Sequence, residues 1–154
     1  MLLSDFLDFD AIKTSLPGGN KRSLLQQLAH LAGQRLKLDS AAILASLVER
    51  EQLGSTGFGN GVAIPHGKID GLPRIYGLFA RLSEPVDYKA IDGQPVDLVF
   101  LLLSPPNAGA DHLKALATVS RVTRDAARLE QLRGARSRDA VAVVLLGSDE
   151  RDAA

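Results

Sequence analysis

The sequence contains no cysteine. Disulfide staples, thiolate nucleophiles and cysteine-ligated metals are therefore excluded, a pattern compatible with a reducing cytosol. Neither sign of charge is in excess: 18 Lys and Arg balance 18 Asp and Glu. A nucleic-acid binder usually carries a basic surplus to neutralise phosphates, so that class starts weak. No polybasic segment is present for docking on a membrane surface. Long hydrophobic runs are missing too. The longest, Val99 to Leu103 and Val141 to Leu146, fall far short of the ~20 apolar residues that cross a bilayer. The opening Met1-Leu2-Leu3-Ser4-Asp5-Phe6 has no basic region and does not read as a signal peptide. A cytoplasmic protein is expected, with no nucleic-acid partner and no direct membrane insertion.

Several chemical motifs are also lacking. There is no H-E-x-x-H or Cys/His spacing for zinc, so no metal site is expected. Neither G-x-x-x-x-G-K-[ST] nor G-x-G-x-x-G occurs, which argues against a nucleotide loop. No G-x-S-x-G elbow points to a Ser-His-Asp hydrolase.

What is there suits one globular domain. The chain has 154 residues, 45% of them hydrophobic and 23% charged. No internal repeat, long linker or low-complexity tract divides it. The domain is expected over 1–148, with a polar, disordered tail over 149–154. Ala11 to Leu16 reads as a short strand, closed by the turn Pro17-Gly18-Gly19. Leu24, Leu25, Leu28, Leu31 and Ala32 recur at helical spacing, with Asn20 as cap and Gly33 near the end. A second helix covers about Ser40 to Gln52, capped by Asp39 or Ser40 and stopped against Gly54. Val62 to Ile64, Ile75 to Leu82 and Val96 to Leu103 read as strands, the last apolar enough to be buried on both faces. Helices follow over about Asp111 to Val122 and Ala126 to Arg133. Ala140 to Leu146 is ambiguous: β-branched residues favour strand, whereas Ser137-Arg138-Asp139 looks like a helix start. Alternating helices and strands make the class α/β.

The chemistry concentrates between Arg50 and Lys68. Gly54-Ser55-Thr56-Gly57-Phe58-Gly59-Asn60-Gly61 cannot be a helix interior, and its N–H groups could cradle an anion. His66 follows Pro65 and precedes Gly67 at a strand end, a rigid and accessible place for a nucleophile. A lone histidine is usually structural; this flanking makes that reading weaker here. His112 lies at a helix start after a proline-rich loop, where a neutral imidazole could donate to a phosphoryl oxygen. An exposed helix-start histidine is an equal alternative. Arg50 could pair with phosphate oxygens, although residue chemistry alone favours an ordinary arginine at a helix C-terminus. His30, mid-helix, reads as structural.

The run Arg50-Glu51-Gln52-Leu53-Gly54-Ser55-Thr56-Gly57-Phe58-Gly59-Asn60-Gly61-Val62-Ala63-Ile64-Pro65-His66-Gly67-Lys68 resembles the active-site motif of fructose/mannitol-type IIA components of the bacterial phosphotransferase system. It is most similar to the nitrogen-regulatory branch, which Ala90 to Leu98 and His112-Leu113 also fit. The likeness covers nearly the whole chain and is weakest at the C-terminus. It implies a single α/β domain, a mixed sheet flanked by helices (the mannitol-type IIA fold), and helix for the ambiguous last element. It implies that His66 accepts a phosphoryl group from the phosphohistidine of an HPr-like carrier, itself charged by an Enzyme I from phosphoenolpyruvate. His112 and Arg50 would stabilise the phosphoryl oxygens, with help from Ser55, Thr56 and Gly57, and the ε nitrogen of His66 would be the nucleophile. Phe58 and the glycines around it could form a docking rim. No cofactor is implied. The output would be regulatory, toward potassium transport or sensor kinases. The alternatives are a sugar-specific IIA feeding a IIB domain, a binding module that is never phosphorylated and, more distantly, a zinc hydrolase. The absence of a fused IIB, HPr or membrane segment favours the regulatory reading.

Overall fold

The computed structural model describes residues 1–153. Two short 3-10 turns, Leu3–Asp5 and Phe9–Ala11, lead into β1 (Lys13–Leu16). Two helices follow, α1 (Lys21–Leu36) and α2 (Ser40–Gln52). Asn20 starts α1 with a capping box: its Oδ1 accepts from Ser23 N at 2.8 Å while Ser23 Oγ accepts from Asn20 N at 3.1 Å. Asp39 caps α2 through Ala41 N. Gly33, expected near the helix end, lies inside α1. A Cβ there would meet Ser40 Oγ at 2.2 Å, so the glycine is what lets the start of α2 press against α1.

Three short strands come next: β2 (Gly57–Gly59), β3 (Val62–Ala63) and β4 (His66–Lys68). β2 and β3 form a hairpin whose turn residues, Asn60 and Gly61, have φ of 59° and 77°. This is the left-handed pair that an Asn-Gly hairpin turn requires. The glycine-rich stretch is thus partly strand. Two longer strands, β5 (Tyr76–Val86) and β6 (Val96–Ser104), pair antiparallel at the centre. The sheet runs β1-β5-β6-β3-β2, with β4 also on β6. β3 and β4 lie parallel to β6 along the same course, opposite Leu98–Val99 and Leu102–Ser104. They are in effect one strand interrupted at Ile64-Pro65, where proline lacks the N–H that a ladder needs.

The chain closes with α3 (Ala110–Thr123), α4 (Ala126–Gly134) and α5 (Arg138–Ala153). Helices cover both faces of the sheet. Along β6, Val99, Leu101 and Leu103 pack toward α1 and α2, while Leu98, Phe100 and Leu102 pack toward α3, α4 and α5. This period-2 division is why β6 is apolar on both sides. The fold is the expected mixed sheet flanked by helices.

At the C-terminus the ambiguous element is settled as the resemblance implied, and one reading is corrected. The segment 140–146 is helical, because its apolar residues Val141 and Leu145 recur at the spacing that faces the sheet. The residues expected as a disordered tail continue that helix to Ala153. Asp149 is buried, and its carboxylate accepts from Leu3 N at 2.7 Å and Ser4 N at 2.9 Å, so it caps the first 3-10 turn. Ala154 lies outside the described residues. Among the described residues, no helix is long and apolar enough to cross a membrane.

Candidate active site

The site forms where the end of α2, the start of β4 and the start of α3 meet. Gly67 is what permits this. A Cβ on it would lie 2.3 Å from Ser46 Oγ, so α2 rests directly on the β4 backbone, and Ser46 Oγ donates to Lys68 O at 3.0 Å. One helical turn beyond Ser46 stands Arg50, which this contact carries over His66. Sequence reasoning named Gly67 only as a flank of His66 and missed Ser46. The small-residue pair was visible, but nothing local showed that the two would touch.

His66 is 8% exposed. Its Nδ1 lies 2.8 Å from the Ile64 carbonyl oxygen. A carbonyl only accepts, so Nδ1 carries the hydrogen and Nε2 holds a lone pair. Arg50 Nε–H points at that lone pair from 3.2 Å, while its Nη1 donates to Gly54 O at 2.9 Å. Burial pushes His66 below the ordinary imidazole range; the Ile64 bond opposes this and the Arg50 charge adds to it. The ring is therefore a neutral base with one available nitrogen at neutral pH.

His112, in the first turn of α3, brings its ring centroid to 5.6 Å from that of His66, tilted by 49°. Its Nδ1 is 2.5 Å from Ser104 Oγ. Burial lowers its pKa, and the nearby His66 and Lys68 lower it further. The exposed helix-start alternative does not hold for this residue. Nor does the plain reading of Arg50, whose guanidinium is committed to His66 and the loop. Together Ser46, Glu49, Arg50, Leu53, His66, Gly67, Lys68 and His112 line an open cleft of about 380 Å³. Leu53 is 83% and Leu113 67% exposed beside it.

Ser55, Thr56 and Gly57, the expected phosphate-binding residues, make their bonds to Glu51 and within the loop. Thr56 is fully buried, and both its N–H and its hydroxyl donate to Glu51. The Gly57 N–H donates to Ser55 Oγ at 3.1 Å. None of the three lines the cleft. Gly57 is small for another reason: a Cβ would meet Ala90 at 2.8 Å and Tyr88 at 3.0 Å. The Thr56 and Gly57 donors are engaged within the protein. The loop's organiser is Glu51, another residue that sequence reasoning passed over. Beside Thr56, Glu51 accepts from Tyr88 Oη at 2.9 Å and pairs with Lys21 Nζ at 2.7 Å. Burial raises the Glu51 pKa, but the bonds from Lys21, Thr56 and Tyr88 outweigh it and hold the carboxyl below its usual range. Among the described residues, no three His, Asp or Glu side chains converge as a metal-ligand set.

An uncharged imidazole with its Nε2 lone pair unprotonated, a guanidinium bonded to it and a second imidazole across an open cleft can receive a small anionic group. Known proteins resemble the chain in sequence and fold. A nitrogen regulatory protein of Bradyrhizobium diazoefficiens is 48% identical over 145 residues, covering 94% of this chain and 95% of that protein. The crystal structure of the nitrogen regulatory protein IIA-Ntr of Neisseria meningitidis superposes with a TM-score of 0.87 at 36% identity, covering 93% of this chain and 98% of that one. The mannitol IIA of Escherichia coli shares the fold, with a TM-score of 0.76 at 18% identity over 90% of this chain and 97% of its own. The family described as phosphoenolpyruvate-dependent sugar phosphotransferase system, EIIA 2, matches residues 5–147, and the chain belongs to it.

Proposed function

We propose that this chain is a regulatory phosphocarrier of the nitrogen branch, which takes a phosphoryl group onto His66 Nε2 from the phosphohistidine of an HPr-like protein. The observation that carries this reading is the Ile64 carbonyl at 2.8 Å from Nδ1, which leaves the lone pair on the nitrogen facing Arg50 and the cleft. The lone pair of Nε2 forms the new N–P bond as the donor N–P bond breaks, and that electron pair returns to the donor imidazole. The transferred group is metaphosphate-like, so the site has only to align and stabilise it. Positive charge develops on the His66 ring, and the Nδ1–H bond to Ile64 O strengthens with it. Arg50 already occupies the space over Nε2. As the phosphoryl group arrives, its donors pass from the lone pair to the phosphoryl oxygens. His112 meets the group from the other side.

The carrier would be charged by an Enzyme I from phosphoenolpyruvate. The exposed Leu53 and Leu113 offer it an apolar collar at the cleft, and Phe58, 50% exposed on β2, is a further apolar contact for it. Phosphorylation places close to two negative charges on this collar, enough to change the affinity of a partner that docks there. Regulatory targets of the potassium-transport or sensor-kinase kind, reached in the cytoplasm, fit such a switch. The relatives' names as nitrogen regulatory proteins support the branch.

The test is intact-mass analysis after incubation with phosphoenolpyruvate, Enzyme I and an HPr-like carrier. One acid-labile phosphoryl group is expected on the wild type and none on a folded His66→Ala variant. A phosphorylated His66→Ala would move the acceptor elsewhere. An unmodified wild type beside a charged carrier would leave a binding module. Rapid onward transfer to a sugar-type IIB domain would place the chain in the sugar branch.

A further inference from the structure

The two site histidines are each held through Nδ1, but by groups of opposite character. Ile64 offers His66 a carbonyl, which accepts only. Ser104 offers His112 a hydroxyl at 2.5 Å, which has a hydrogen of its own to place. Ser104 is the last residue of β6 and is fully buried. Its backbone is fixed: its carbonyl accepts from Ile69 N at 2.8 Å, and Pro105-Pro106 follow it. We propose that Ser104 is a positioning residue that locks His112 as the Nε2–H tautomer, so that the site sets a lone pair on one imidazole against a hydrogen-bond donor on the other.

A buried hydroxyl hydrogen needs an acceptor, and leaving it without one costs its desolvation. Among the described residues the Ser104 hydroxyl has one hydrogen-bond partner, His112 Nδ1. If Nδ1 carried a hydrogen, it would donate to Ser104 Oγ and the O–H would have nowhere to point. The doubly protonated ring fails for the same reason. Burial and the nearby His66 and Lys68 also oppose it, although Glu49 lines the same cleft. With Nδ1 as acceptor, the hydrogen sits on Nε2. The inference rests on the reading of His66 as phosphoryl acceptor. Both imidazoles facing the cleft with lone pairs would repel an incoming phosphoryl group. One lone pair and one N–H gives a nucleophile and an oxygen donor from two neutral rings. Ser104 thus acts on the reaction through His112 without touching the transferred group.

The ring nitrogens of the three histidines in this chain can be read by long-range nitrogen–proton NMR on labelled protein, above the imidazole titration range. His66 is expected with its hydrogen on Nδ1 and His112 with its hydrogen on Nε2. Ser104→Ala is expected to give a mixture at His112, leave His66 unchanged, and slow phosphoryl transfer roughly ten-fold. His112→Gln, whose amide nitrogen falls near the ε position, should keep more transfer than His112→Asn. A wild-type His112 carrying its hydrogen on Nδ1 overturns the proposal, and so does a Ser104→Ala protein with unaltered tautomer and rate. The wild-type spectrum needs no carrier. A protein that shows the two tautomers yet takes no phosphate therefore refutes the phosphocarrier reading and not this one.

Discussion

Two stretches of one motif, only a few residues apart, do opposite things with their backbone. From Ser55 to Gly57 the loop turns inward. Its N–H groups donate to Glu51 and Ser55, and Gly57 lies against Tyr88 and Ala90. From His66 to Lys68 the chain lines the cleft, while Gly67 takes α2 on its back. Both stretches need glycine because something approaches closely. In the first it is the connection between β5 and β6, and in the second it is the helix that carries Arg50. Glycine at a site therefore does not by itself mark the ligand's side. What marks it is whether the neighbouring donors are already engaged.

The strongest way to break this contrast is at Glu51. If the loop serves structure, Glu51→Ala leaves Thr56, Tyr88 and Lys21 without their acceptor in a largely buried place. The expected loss is about 3 kcal/mol of unfolding free energy, read from urea denaturation. Transfer should fall as well, since Gly54 O, which steadies Arg50, belongs to the same loop. A loss under about 0.5 kcal/mol would mean that the loop holds its shape without this carboxylate.

Arg50→Ala tests the other stretch. It removes a donor from the reacting centre but no core contact, so the unfolding midpoint should hardly move. Phosphoryl transfer should drop about 100-fold, or about 2.7 kcal/mol in the barrier. An unaltered rate would return Arg50 to an ordinary helix-terminal arginine.

How much of this was legible beforehand follows from the range of each interaction. Asn20 and Asp39 act within three residues, and the sequence shows them as caps at once. The apolar run of β6 announced a strand buried on both faces. His66 stood out through its flanking proline and glycine. The Asn60-Gly61 turn was equally local and was overlooked inside a stretch read as loop. Other features depend on contacts that no spacing encodes. Ser46 reaches Lys68, Glu51 reaches Lys21 and Tyr88, and Asp149 reaches Leu3 across the whole chain. The last of these turns an expected frayed tail into a capping helix. Arg50 shows the same limit: beside its sequence neighbours it is an unremarkable cation, and only the seating of α2 on Gly67 brings it to His66.

The smallest expected effect is the most discriminating. Ser55 was a natural candidate for holding phosphate, being a hydroxyl residue in a glycine-rich loop before the histidine. In the fold its Oγ accepts from Gly57 N, a local turn bond of the kind serine often makes. Ser55→Ala removes that bond at a half-buried position and should cost under about 1 kcal/mol. Because Ser55 does not line the cleft, the transfer rate should stay within about two-fold of wild type. A ten-fold slower transfer with unchanged stability would show that the loop turns outward when the carrier docks. The inward packing would then be a resting state, and the two stretches of the motif would act on the phosphoryl group together.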